Sequence, residues 1–259
     1  MKMQWRICLV ASVLAFLLML SGCGRKNLEY DTSTGQYIRR GDGAIFYRAS
    51  GNYCAMCIDR DREVCKIVGK DEADIILYEI CNNVTDVYMD PSIWMSDEDY
   101  RVYYAEGTTL PKLWEMQVKE IYVTDGGEKS RVVGWIEEAA DVSSIISLYQ
   151  SGTTVRRSDL RATFQIVDLK TRYELAFSSQ SHEGIYYMLN YYGYEENIVY
   201  TEEVADPASF TPSLNRAYTL SEKDGVTYAK YDLGKHFLYD QVTGICYPLD
   251  SLADLIIKA

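Results

Sequence analysis

Polar and apolar positions alternate along most of this chain in short runs, and the runs predict strands. AIFYR, YCAMCI, EVCKIV, DIILYEI and RVYYA, between Ala44 and Ala105, are rich in aromatic and β-branched residues. Polar turns separate them at meander spacing, and Asp59-Arg60-Asp61-Arg62 reads as a hairpin loop. Leu110 to Val123 fits two periods: Leu110, Leu113, Trp114, Val118 and Ile121 suit a helical face, whereas KEIYV suits a strand. A helix is predicted from Asp141, as its cap, to Gln150, because Val142, Ile145, Ile146 and Tyr149 form one stripe and Gly152 follows. Thr163 to Leu169 and Tyr173 to Ser178 read as a hairpin. Ile185 to Tyr192, Asn197 to Glu203, Val226 to Tyr231, His236 to Tyr239 and Ile245 to Tyr247 read as further strands. Asp206-Pro207 and Thr211-Pro212 mark a long loop. Leu249 to Ile257 closes as a short amphipathic helix. The expected class is α+β: a largely antiparallel β-sheet with an N-terminal β-meander, one packing helix near 141–151 and a short C-terminal helix, since the links are too short for many crossover helices.

The first 23 residues break this pattern. Lys2 and Arg6 precede an uncharged apolar run from Ile7 to Leu20, the length of a signal-peptide core and short for a membrane span. It ends in Leu20-Ser21-Gly22-Cys23. Leucine, two small residues and a cysteine resemble the lipobox of bacterial lipoproteins. That resemblance implies that Cys23 carries diacylglycerol, that residues 1–22 are removed, and that the new amino terminus is acylated. A thiol is the nucleophile suited to a thioether lipid, and two acyl chains suffice for stable anchoring. The expected organisation is a signal peptide (1–22), a polar, turn-rich tether (23–43), a β-rich module (44–125) and an α+β module (126–259), with the last boundary at Asp125-Gly126-Gly127. The segment GAIFYRASGNYCAMCIDRDREVCKIV also resembles one blade of the propellers of some bacterial surface lipoproteins. The likeness covers one hairpin, and the helices that follow argue against a propeller.

Charge narrows the partners. The formal net charge is −12, and removing Lys2 and Arg6 makes the body more acidic. Such a body is repelled by nucleic acid and anionic headgroups, so the lipid on Cys23 must supply the membrane attachment. The 23 tyrosines suit half-exposed strands, and suit a binding surface too.

Cysteine and acid chemistry is weighed residue by residue. Besides Cys8 and Cys23 the chain holds Cys54, Cys57, Cys65, Cys81 and Cys246. A zinc site on the first four requires Cys54 and Cys57, three apart in a strand, to share an ion across opposite faces. A redox CxxC requires a helix amino end. Disulfides suit an extracytoplasmic address. With the loop at Arg60 to Arg62 Cys57 faces Cys65, whereas a turn at Asp59-Arg60 makes Cys54 face Cys65. A Cys81–Cys246 link and five small buried thiols are the other readings. His182 and His236 are the two imidazoles; the zinc-protease spacing, the G-x-S-x-G elbow, S-x-x-K, the phosphate loop and the EF-hand pattern are absent from the sequence. Asp97-Glu98-Asp99, Glu137-Glu138, Glu195-Glu196 and Glu202-Glu203 are the acidic runs that a glycosidase pair would draw on. No metal, cofactor or catalytic residue is assigned. The expectation is a lipid-anchored extracytoplasmic protein that binds or senses a protein, peptide or glycan. An envelope hydrolase acting through acidic residues, or a cysteine-based zinc or redox module, is the alternative.

Overall fold

The computed structural model describes residues 28–39, 42–57, 65–66, 70–72, 75–78, 101–125, 131–180 and 185–259. Cys23, Cys81, His182 and Asp97-Glu98-Asp99 lie outside them. Within them the chain is α+β and its sheets are antiparallel. Among the described residues no helix is long and apolar enough to cross a membrane.

The first sheet is two runs of three antiparallel strands set side by side and not the single meander expected, because the strand that begins at Tyr53 leaves for the main sheet. Strands β1 (Leu28–Asp31) and β2 (Gln36–Arg39) form a hairpin; β3 (Ile45–Arg48) pairs with β2 and with β8 (Arg101–Ala105). β6 (Lys70–Glu72) and β7 (Ile75–Tyr78) complete the order β1-β2-β3-β8-β7-β6. The hairpin corrects the expectation of a tether over this stretch. Its polar composition hides turn chemistry: Asp31 accepts hydrogen bonds from the Ser33 amide (2.8 Å) and hydroxyl (2.6 Å), and Gly35 adopts φ +71°. Tyr37 then packs between Tyr30 and Tyr103, with ring centroids 5.0 and 4.7 Å away.

The main sheet holds nine strands among the described residues. β9 (Val118–Thr124) pairs with β10 (Val132–Ile136) and with β12 (Leu169–Ser179), so the expected boundary at 125 falls between neighbours of one sheet. β13 (Ile185–Tyr194) lies against β12 along one edge. Its other edge is shared: β17 (His236–Asp240) pairs with Asn190 to Gly193, and β4 (Tyr53–Cys57) with Ile185 to Tyr187. β18 (Ile245–Pro248) and β11 (Val155–Arg156) extend the sheet beyond β17, and β5 (Cys65–Lys66) pairs with β4. A three-stranded sheet, β14 (Val199–Val204), β16 (Val226–Asp232) and β15 (Thr219–Lys223), sits apart. β15 was not read from the sequence, although Asp224-Gly225, with φ of +55° and +77°, is the two-residue hairpin signal.

The pleat sorts the main sheet into two faces. Ile121, Val123, Leu175, Phe177, Ile185, Tyr187, Leu189, Tyr191 and Leu238 share one core with helix α1 (Ala139–Ser151), through Val142 and Ile145, and with helix α3 (Ala253–Lys258), through Ala253 and Ile256. The helix near 141–151 is thus present, but it begins at Ala139 after Glu138, and Asp141 lies in its first turn, where its charge suits the helix dipole. On the opposite face Tyr192, Tyr194, Phe237, Tyr239 and Cys246 pack with Leu160 of helix α2 (Arg157–Ile166) and with Ile198, Val204 and Tyr231 near the small sheet.

Helix α2 corrects the expected strand from Thr163. The run TFQIV alternates like a strand, yet Leu160 and Phe164 also fall at helical spacing. Phe164 stacks on Tyr194 at 4.9 Å and meets Phe237 edge-on at 5.7 Å. Those tertiary contacts select the helix. Between Leu110 and Val123 a 3-10 turn (Leu113–Glu115) precedes β9, so both periods in that stretch are used in turn.

Candidate functional site

Two polar constellations interrupt the apolar packing. The first closes the seam on β13 where β17 stops and β4 starts. Asn52, just ahead of β4, is 3% exposed. Its carbonyl accepts from the Met188 amide (2.7 Å), and its side-chain amide donates to the Met188 carbonyl (3.2 Å) and to Asp240 Oδ1 (3.1 Å). Asp240 Oδ1 also accepts from the Val242 and Thr243 amides at 2.9 and 3.1 Å, and Oδ2 from the Tyr149 hydroxyl at 2.9 Å. Because that proton is committed to Asp240, the 2.7 Å contact between Tyr149 and Tyr187 is Tyr187 donating to Tyr149. Burial pushes both phenols above their ordinary range. This chain of four side chains ties Asn52, Tyr149, Tyr187 and Asp240 together, so its work is to hold β4, α1, β13 and β17 in one register.

The second constellation lies on the opposite face and is partly open. Tyr192 and Tyr239 are nearly buried, with ring centroids 5.4 Å apart. The exposed Arg157, at the start of α2, lays its guanidinium 5.0 Å from the Tyr239 ring centre and 5.9 Å from that of Tyr192. Arg172 of β12 stands 5.9 Å from the Tyr192 ring. A hydrogen bond with Tyr239 holds Arg157 above its usual pKa. Asn190, 6% exposed, stands opposite Tyr239 in the register, and its Oδ1 is buried without a hydrogen-bond partner among the described residues. Glu174, opposite Asn190 on β12, lies 3.9 Å from Arg172. Arginines stacked on rings keep their in-plane N–H groups for a carboxylate, phosphate or carbonyl oxygen. On an acidic body this arginine–tyrosine face is the candidate functional surface. Sequence reading missed it because its members come from α2, β12, β13 and β17.

The residues singled out in the sequence are scattered. The β4–β5 register places Cys57 opposite Cys65 and Met56 opposite Lys66. Cys54, opposite Tyr186 of β13, packs with Tyr122, Ala176 and Tyr186. Cys246 on β18 is a free, buried thiol whose pKa burial pushes up to about 12; Cys81, its partner in one of the readings from sequence, lies outside the described residues. His236 is half-buried: its Nδ1 bonds the Tyr191 hydroxyl at 2.8 Å and its ring stacks on Tyr191 at 5.9 Å. Glu137, Glu138, Glu195 and Glu196 are exposed. Glu202 accepts hydrogen bonds from Tyr231 and from the Ser213 amide (3.2 Å), while its neighbour Glu203 is exposed. Among the described residues no group of three or more His, Cys, Asp or Glu is placed to hold a metal ion. The chain matches no protein-family model, and neither a curated protein nor a solved structure is detectably similar to it.

Proposed function

We propose that this is a lipid-anchored extracytoplasmic protein that binds a partner at the cell envelope without catalysing a reaction of its own. The observation that carries this reading is the sequence Leu20-Ser21-Gly22-Cys23 at the end of a charged-then-apolar leader. Cys23 holds the lipid, and the sheet-built body works beside the membrane that the lipid enters. The arginine–tyrosine face around Arg157, Arg172, Tyr192 and Tyr239 supports a binding role, because it offers cationic donors on rigid rings. A protein, peptide or glycan bearing carboxylate or phosphate groups is the partner such a face takes.

Incorporation of radiolabelled palmitate tests the anchor. Label and membrane attachment are both expected in the intact protein and both lost in Cys23→Ser. Retention of both in that variant overturns the reading. The binding role is tested by cross-linking the intact protein in its own membrane. An adduct that survives unchanged in the Arg157→Ala/Arg172→Ala double variant removes this face from the proposal.

A further inference from the structure

We infer that Cys57 and Cys65 are joined by a disulfide that fastens the far end of β4. The inference rests on the proposed extracytoplasmic address, where disulfides form and persist. The geometry comes from the backbone. β4 has two strand partners along its length: Tyr53, Cys54 and Ala55 pair with β13, and Met56 and Cys57 pair with β5. Its near end is held by Asn52, through Met188 and Asp240. Among the described residues its far end pairs with β5 through Met56↔Lys66 and Cys57↔Cys65, and a covalent link across the second of these pairs fixes that register.

Directly opposed residues in an antiparallel pair have α-carbons roughly 4.5–5.5 Å apart, inside the range of about 4.4–6.8 Å that disulfides use. The same register decides between the two pairings open from the sequence. Cys54 lies three residues before Cys57 on β4, an offset of about 10 Å at roughly 3.4 Å per residue. That exceeds the limit of about 7 Å between bridged α-carbons. Cys54 is also committed to the Tyr122–Tyr186 cluster, and Cys246 is buried elsewhere as a thiol.

The bond forms by exchange with an external disulfide-bearing oxidant. The thiolate of one cysteine attacks a sulfur of that disulfide, giving a mixed disulfide and releasing one oxidant thiol. The thiolate of the other cysteine then attacks the first, forming the Cys57–Cys65 bond and releasing the second oxidant thiol. The two cysteines lose two electrons and two protons, and the oxidant's two sulfurs gain them.

The test uses the full-length protein, extracted from its membrane in N-ethylmaleimide without reductant, digested, and mapped by mass spectrometry. A peptide pair linked through Cys57 and Cys65 is expected; it disappears in Cys57→Ala and persists in Cys54→Ala. Maleimide adducts on both Cys57 and Cys65, or a link that persists in Cys57→Ala, overturn the inference. Palmitate labelling of the same sample separates the two readings. Label with both thiols alkylated removes the disulfide and leaves the anchor. A linked pair without label removes the anchor and leaves the disulfide.

Discussion

Asn52 and Asp240 meet through a 3.1 Å hydrogen bond across the gap between two strands that share one edge of β13. They lie 188 residues apart in sequence and are both buried. Asn52 replaces the strand partner that Met188 lacks, and Asp240 collects Asn52, Tyr149 and two turn amides. The seam is therefore held by side-chain bonds where backbone pairing changes hands.

This predicts unequal costs along the chain of bonds. Asp240→Ala leaves the Asn52 amide and the Tyr149 hydroxyl as buried donors without an acceptor and is expected to cost about 3–5 kcal/mol. Tyr149→Phe keeps the three donors to Asp240 Oδ1 and takes the Tyr149 hydroxyl away from Oδ2 and from Tyr187; a smaller loss of about 1–3 kcal/mol is expected. Urea midpoints at constant m-value report both. Equal losses would mean that Asp240 does not organise the seam.

Cys246 is expected to resist alkylation while the protein is folded. Burial in the α2-facing core pushes its thiol up to about 12, so almost no thiolate exists at neutral pH. Timed iodoacetamide labelling, mapped by mass spectrometry, should modify it only in denaturant. Rapid labelling of the native protein would contradict its placement.

His236 predicts a pH dependence of stability. Burial, and then the nearby Lys235 charge, hold its pKa below the usual 6.5. Protonation is then easier in the unfolded chain, so the contribution is full above about pH 6.5 and falls as pH drops through the lower folded value. Denaturation midpoints should fall as pH drops below about 6.5, and His236→Asn should flatten that part of the curve. An unchanged slope in the variant refutes the assignment.

Gly134 on β10 seats the C-terminal residue. A Cβ there would fall 2.0 Å from the Ala259 carbonyl carbon. Gly134→Ala is expected to cost about 1–3 kcal/mol by displacing that end of the chain. Deleting Ala259 in the variant should recover most of the loss. Absence of recovery would place the cost in β10 itself.

Reduction should lower the melting temperature if Cys57 and Cys65 are bonded. Closing a loop of this size corresponds to about 2–3 kcal/mol in the chain-entropy account. Comparing the wild type and Cys57→Ala with and without reductant checks it: reductant should shift the first and leave the second unmoved.

Much was legible because local pattern and tertiary environment agree. Tyr173, Leu175 and Phe177 alternate with Glu174, Ala176 and Ser178, and the structure uses that alternation with one set in the helix-covered core. Val142 and Ile145 announce α1, and Ala253 and Ile256 announce α3. Where two periods coexist the sequence is ambiguous: TFQIV alternates, yet Phe164 becomes helical because Tyr194 and Phe237 wait beneath it. Residues 28–39 look like a tether because their turn chemistry is polar, although their tyrosines pack.

By itself the sequence determined the α+β class, the two helices with clear stripes and the charged-then-apolar pattern of residues 1–23, since each depends on neighbours within a few residues. Only the tertiary structure decided that β4 and β17 share an edge of β13, that Cys57 rather than Cys54 opposes Cys65, and that Arg157 and Arg172 converge on Tyr192. Those relationships join positions that lie anywhere from eight to well over a hundred residues apart. Strand register and sheet order bring such residues together, and residue spacing along the chain carries no record of them.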